Sequence, residues 1–302
     1  MKKFIIVLIL GLIASLSLAG CSGHPEQDME TILDSQLLAD KGIAISIPEH
    51  PYYTFVHRRR GELDIEVALR VLGEHGVYYF TPGGWTDELI ADIVLVGEEG
   101  ILFAKDFLGI ELSRPLSFVF NITEPDENHP LPVWGGGGVL GTSTFISMDR
   151  SLLPTIIVHE AVHGILRYDE RMTNFPQAPE SSPWATALFL EEGLCDVIDF
   201  LFARQTALPY RTNYGNRHLH TDAVRMLQQH DYFSDEEEFG TRYPQLMSYQ
   251  TAASFVYFLL EHHGTIEDFM RVFDDIYLME EVFGQNMEGM IVDWLAYLEG
   301  NW

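Results

Sequence analysis

The chain has 302 residues, 47% of them apolar, enough to bury a substantial core as one large domain or two smaller ones sharing an interface. Its formal net charge of −27, from 45 acidic against 18 basic residues, works against nucleic acid or an anionic lipid surface as a charge-attracted partner. Such a surface serves solubility first, and the densest acid cluster, Asp235 to Glu238, lacks the regular spacing of a calcium loop.

In chain order, Lys2 and Lys3, an apolar run from Phe4 to Leu18, and the box Leu18-Ala19-Gly20-Cys21 resemble a bacterial lipoprotein signal peptide. The resemblance implies that Cys21 receives a diacylglycerol and begins the mature chain, tethered at the extracytoplasmic face of the cell membrane. A plain secretory signal or an uncleaved anchor are the alternatives. No later apolar stretch is long enough to span a bilayer. With Cys21 acylated, Cys195 has no partner and a disulfide framework is excluded. Cys195 sits in an apolar run, which favours an inert buried thiol over a nucleophile.

Residues 21–50 read as a polar tether ending near Pro48-Glu49-His50-Pro51, with a short helix over Met29 to Leu38 compatible with its pattern. From Tyr52 the composition becomes globular. Tyr53, Phe55 and Val56 predict a strand, and Arg58-Arg59-Arg60 reads as its solvated end. Leu63 to Glu74 has helical spacing at Ile65, Val67, Ala68, Val71 and Leu72. Strands are predicted at Val77 to Thr81, Ile93 to Val96 and Leu116 to Ile122, giving an α/β subdomain over 51–150. Gly135 to Gly138 lack the strand-loop-helix setting of a phosphate cradle. They read either as a flexible loop or as the approach to a sheet edge, Val139 to Met148, along which an extended peptide can pair.

Pro154 then suits the first turn of a helix whose apolar run carries His159, Glu160 and His163. Four positions apart on a helix, His159 and His163 share one face and can grip one metal ion with Glu160 beside them. Asp169 to Pro183 reads as a loop, and Ala185 to Phe202 as a second apolar helix interrupted by Glu191, Glu192, Gly193, Asp196 and Asp199. Thr206 to Tyr243 is mixed; within it His218 and His220 lack an acid at suitable spacing and read as loop histidines. A strong helix from Ser248 to His262, closed by Gly264, and two amphipathic helices at about Ile266 to Tyr277 and Met287 to Leu298 complete a helical subdomain over 151–302.

A hydrolytic zinc site takes three protein ligands, so two histidines need a third from elsewhere in the chain. The acids inside the second apolar helix supply candidates, and Glu192 and Asp196 share one of its faces. Together the His-Glu-x-x-His run and Glu192-Gly193 resemble the gluzincin peptidases, a superfamily with thermolysin-like and aminopeptidase-like branches. The resemblance covers about Leu116 to Trp302. It implies Zn2+ held by His159, His163 and Glu192, with Asp196 orienting His159 from behind and Glu160 as the base that activates water. It further implies that Tyr249, early in its helix, donates to the oxyanion; a helix-start tyrosine packed on the core is the alternative. Gly264 and Trp294-Leu295-Ala296-Tyr297-Leu298 match the superfamily's C-terminal pattern.

The sequence departs from that pattern twice: 28 residues separate His163 from Glu192, and no Glu lies between Trp134 and Met148, where aminopeptidase relatives bind the substrate's free amine. The second departure favours endopeptidase over exopeptidase action. The fold expected is α+β and zincin-like: a small mixed N-terminal sheet with helices, then a mainly helical C-terminal half, with the metal site between them. The substrate expected is a peptide or protein. Two rival readings are a non-catalytic lipoprotein that uses the fold as a protein-binding module and a solute-binding lipoprotein. Glu160 argues against the first, since a structural zinc site needs no base. The second lacks two lobes of repeated β-α pattern.

Overall fold

A computed structural model describes residues 44–48, 50–57, 61–122, 136–140, 143–148, 153–168, 183–206, 218–229 and 248–302. The signal segment with Cys21, most of the tether, Arg58 to Arg60, Gly135, residues 169–182 and the acid cluster at 235–238 lie outside them.

Eight strands are described: β1 (Ala44–Ser46), β2 (Tyr52–His57), β3 (Gly61–Glu66), β4 (Leu69–Leu72), β5 (Gly76–Phe80), β6 (Leu116–Ile122), β7 (Gly136–Leu140) and β8 (Ser143–Met148). Six of them form a mixed sheet in the order β1-β4-β5-β6-β8-β7, while β2 and β3 pair as a separate antiparallel ribbon. The centre of the sheet is parallel, β5 to β6 and β6 to β8, and its flanks are antiparallel. Joining β5 to its parallel neighbour requires a crossover, and α1 (Asp87–Leu108) provides it.

Two of the elements differ from the sequence expectation. Leu63 to Glu74 is not helical: Ile65, Val67, Leu69 and Val71 are buried and alternate with exposed or half-buried residues, a period of two that serves β3 and β4. Ile93 to Val96 lies inside α1, not in a strand. The Thr86 hydroxyl caps that helix by accepting from the Leu89 N–H, and Asp87 and Glu88 fill its acidic first turn. Burial of Ile90, Val94, Ile101, Ala104 and Leu108 then overrides the strand preference of the β-branched residues. The edge expected over Val139 to Met148 is split: β7 is the edge strand and β8 lies one place inside.

The two faces of the sheet are read from the alternation in β6. Val119 and its register partner Phe145 pack against Phe55, Ile65 and Val67 of the ribbon side. Phe118 and Phe120 stack with Tyr78 among the most deeply buried rings, and Tyr78 lies against α1 at Gly97. The next helix, α2 (Leu153–Tyr168), packs on α1 and on the β7–β8 end of the sheet. At Gly100 the contact with α2 is so close that a Cβ would fall 2.7 Å from Val158 Cγ2. Ile157, Val158, Ala161, Val162, Ile165 and Leu166 are all buried, so the stretch of α2 from Ile157 to Leu166 is covered on every side.

Six further helices are found among the described residues: α3 (Pro183–Gln205), α4 (Leu219–Gln229), α5 (Tyr249–His262), α6 (Ile266–Asp274), α7 (Met279–Phe283), which follows a 3₁₀ turn at Ile276–Leu278, and α8 (Met287–Asn301). The molecule is therefore a mixed α+β protein whose later described part is helical. Ser248 and Thr251 cap α5 reciprocally, as do Thr265 and Asp268 for α6. No described helix is long and apolar enough to cross a membrane.

Candidate metal centre

The middle turns of α2 bring His159 and His163 to one face, with ring centroids 4.9 Å apart. α3 packs against α2 and faces them with Glu191, Glu192 and Asp196. Both histidines are anchored from behind: His159 Nδ1 meets Asp196 Oδ1 at 2.7 Å, and His163 Nδ1 meets Glu191 Oε1 at 2.5 Å. In the neutral ring, the form that binds a metal, the Nδ1–H is donated to the carboxylate and Nε2 presents a lone pair.

Those lone pairs converge. His159 Nε2 and His163 Nε2 are 3.2 Å apart, and Glu192 Oε2 lies 3.2 Å from the first and 3.3 Å from the second. Three acceptors that close together form a site for a cation. For a tetrahedral ion with bonds of about 2.0 Å, neighbouring ligand atoms stand about 3.3 Å apart, so the triangle has the size of one face of a tetrahedral metal site.

His159, His163 and Cys195 also form a buried group whose ligand atoms lie within 4.8 Å of one another and can hold a metal ion. Two donor sets therefore share the histidine pair, one completed by Glu192 and the other by Cys195. The Glu192 oxygen makes the tighter triangle, whereas burial raises the pKa of the Cys195 thiol against the lowering pull of His163 and His159. A thiol held protonated is a poor ligand. The expectation of an inert thiol agrees with its complete burial.

The charges follow from the geometry. Burial opposes ionisation of Glu192, but hydrogen bonds and charge from both histidines hold its carboxyl well below the usual carboxylate range. Burial likewise opposes charging of His159, and the Asp196 carboxylate, helped by Glu192, outweighs it and raises the ring's pKa well above the ordinary value. His163 moves the same way: burial lowers it, and Cys195 and Glu191 raise it. Since the thiol stays protonated, Glu191 is the effective anion.

Glu160 is 3% exposed, and its Oε2 is buried with no hydrogen-bond partner among the described residues. Burial raises its pKa, offset in part by His163 and His159. An orphaned carboxylate oxygen beside three converging acceptors suits a group that must receive a proton from a small molecule entering the site. The Tyr249 ring centroid lies 6.0 Å from that of His159, and Tyr249 is 56% exposed. Burial of its hydroxyl and then the charge of Glu192 raise its pKa, which keeps it a proton-bearing donor.

The structure thus brings His159, Glu160, His163, Glu192, Asp196 and Tyr249 together. Glu191 was missed by sequence reasoning, although it is an acid inside an apolar helix and is only 1% exposed. Arg167, one turn beyond His163, approaches it at 3.6 Å and offsets its charge. Asp199, a turn beyond Asp196, is also buried, and burial together with the Asp196 charge pushes its pKa up to about 8.

The loop reading of His218 and His220 fails in part. His220 belongs to α4 and is wholly buried, its Nδ1 2.7 Å from Ser254 Oγ and its ring enclosed by His218, Tyr257, Tyr297 and Trp302. Its acidic neighbour, Glu261 at 3.6 Å, comes from a different helix, which spacing along the chain could not reveal. Compared with protein-family models and with curated proteins, the chain matches none.

Proposed function

We propose that this protein is a zinc-dependent peptidase of gluzincin type with a zincin-like fold, acting as an endopeptidase on peptides or proteins. The observation that carries the reading is the buried Glu160 Oε2, unpartnered among the described residues, beside the triangle of His159 Nε2, His163 Nε2 and Glu192 Oε2. His159, His163 and Glu192 would hold the ion, with Asp196 and Glu191 fixing the histidine rings. Zinc, when bound, supplies Lewis acidity, polarising a scissile carbonyl and making water acidic near neutral pH.

The chain's own residues do the rest. Glu160 takes the attacking water's proton and passes it to the leaving amine, and its raised pKa suits both directions of transfer. Tyr249 donates its hydroxyl proton in a hydrogen bond to the oxygen on which negative charge develops; loss of one such donor typically lowers the rate by about 100- to 1000-fold. Endopeptidase action is supported by the lack of any Glu between Trp134 and Met148 to bind a free amine. The Leu18-Ala19-Gly20-Cys21 box supports acylation of Cys21 and a place on the extracytoplasmic face of a bacterial membrane.

The test is bound zinc and cleavage of a denatured protein mixture by the purified protein, beside Glu160→Gln and Glu192→Ala. Glu160→Gln keeps zinc and loses cleavage, while Glu192→Ala binds zinc at least 10-fold more weakly. Wild-type protein without stoichiometric zinc overturns the metal assignment, and cleavage that survives Glu160→Gln overturns the mechanism.

A further inference from the structure

Gly193 sits in the interior of α3, directly after Glu192, and its φ is not positive. Glycine is among the poorest helix formers, and nothing in the backbone conformation requires it here. Its surroundings do: a Cβ would lie 2.4 Å from the Ala252 carbonyl oxygen and 2.6 Å from Val256 Cγ2, both on α5. The same interface is packed at Phe189 against Phe255, ring centroids 5.8 Å apart.

We propose that Gly193 is a positioning residue for Tyr249, its missing side chain letting α5 approach α3 closely enough to hold that tyrosine at the metal centre. This rests on the peptidase reading above. Ala252 is three residues after Tyr249, so the point of closest approach lies one turn along the same face. The first turn of α5 is locked by the Ser248–Thr251 capping box, and Thr251 is 2% exposed, so the turn moves as a unit. Tyr249 itself is more than half exposed, so its backbone rather than surrounding packing sets its place.

The displacement can be read from the contacts. The 2.4 Å separation is about 1 Å short of the 3.4 Å at which ordinary contact begins, and the obstacle is backbone that cannot rotate away. A methyl at position 193 therefore drives the first turn of α5 outwards by about 1 Å. A shift of that size in a positioned catalytic group is worth about 100-fold in rate.

The experiment uses the full protein loaded with zinc: wild type, Gly193→Ala, Tyr249→Phe and the double variant. Gly193→Ala is expected to keep one zinc and to lower kcat about 100-fold with little change in KM. On the Tyr249→Phe background it lowers kcat less than about 3-fold, because the group it displaces no longer donates. A crystal structure of Gly193→Ala shows Tyr249 moved about 1 Å from His159 relative to wild type, whether or not the protein cleaves peptides. Multiplicative losses in the double variant, unchanged kcat, or an unmoved Tyr249 overturns the inference. Wild type lacking zinc or cleavage instead overturns the peptidase reading, and the Tyr249 displacement still decides the packing claim. If Gly193→Ala does not fold, Gly193→Ala with Val256→Ala removes the side-chain obstacle, leaves the backbone one, and is read in the same way.

Discussion

Glu191 gives the sharpest test of how the centre is built, because it anchors a histidine without itself being expected to touch the metal. Replacing it by Leu keeps roughly the same volume but leaves the His163 Nδ1–H without its acceptor, at a position where Glu191 is only 1% exposed. A buried donor stripped of its partner costs about 1–3 kcal/mol, and loss of such an outer anchor typically weakens a metal site by about 10- to 100-fold. The Arg167 guanidinium, 3.6 Å from Glu191, then loses the charge that offsets it and repels an incoming cation. Both effects have the same sign, so zinc affinity should fall about 100-fold, roughly 2.7 kcal/mol. Glu191→Gln keeps an acceptor oxygen and should lose less than about 10-fold. The assay is competition for zinc against a chromophoric chelator near neutral pH. Affinity of Glu191→Leu within twofold of wild type, or equal damage from Gln and Leu, refutes this account of His163.

Two further predictions concern protons. The carboxylates around His159 and His163 outweigh burial and raise both pKa values, so the metal-free rings hold protons to higher pH than a free imidazole, and zinc must displace them. Zinc binding should therefore release protons and tighten as pH rises; calorimetry in buffers of different ionisation enthalpy measures the release, and none at neutral pH would contradict the assigned protonation. His220 has the opposite shift: burial first, then the charge of His218, lowers its pKa to about 4, against the pull of Glu261. Between about pH 6.5 and pH 4 the unfolded chain binds a proton there that the folded chain does not, so stability falls as pH falls, by roughly 1–3 kcal/mol. Urea unfolding across that range should show a shallower pH slope in His220→Phe than in wild type; equal slopes refute the assignment.

Local periodicity explains which parts of the fold could be read in advance. β6 and the helices carrying His159, Glu192 and Tyr249 have strong patterns and clear punctuation, and they form where expected. The run 63–74 and Ile93 to Val96 did not, because short stretches of β-branched residues suit a strand and a buried helix equally well. Their state depends on what covers them: the ribbon and sheet in one case, α2 and the sheet in the other.

The sequence by itself determined the half of the site that lies on one helix, since a spacing of four fixes His159 and His163 on a common face wherever that helix goes. It also pointed to Glu192 and Asp196 through acids placed where an apolar helix has no use for them. Only the tertiary structure decided that Glu191, Cys195 and Tyr249, from two other helices, gather around this pair of histidines, and that an oxygen of Glu192 stands 3.2 to 3.3 Å from both Nε2 atoms. The reason is physical: distances of 3.2 to 3.3 Å between groups on different helices depend on how closely those helices pack. The approach of α5, which carries Tyr249, depends in the same way on Gly193 against Ala252, a contact that leaves no periodic trace along the chain.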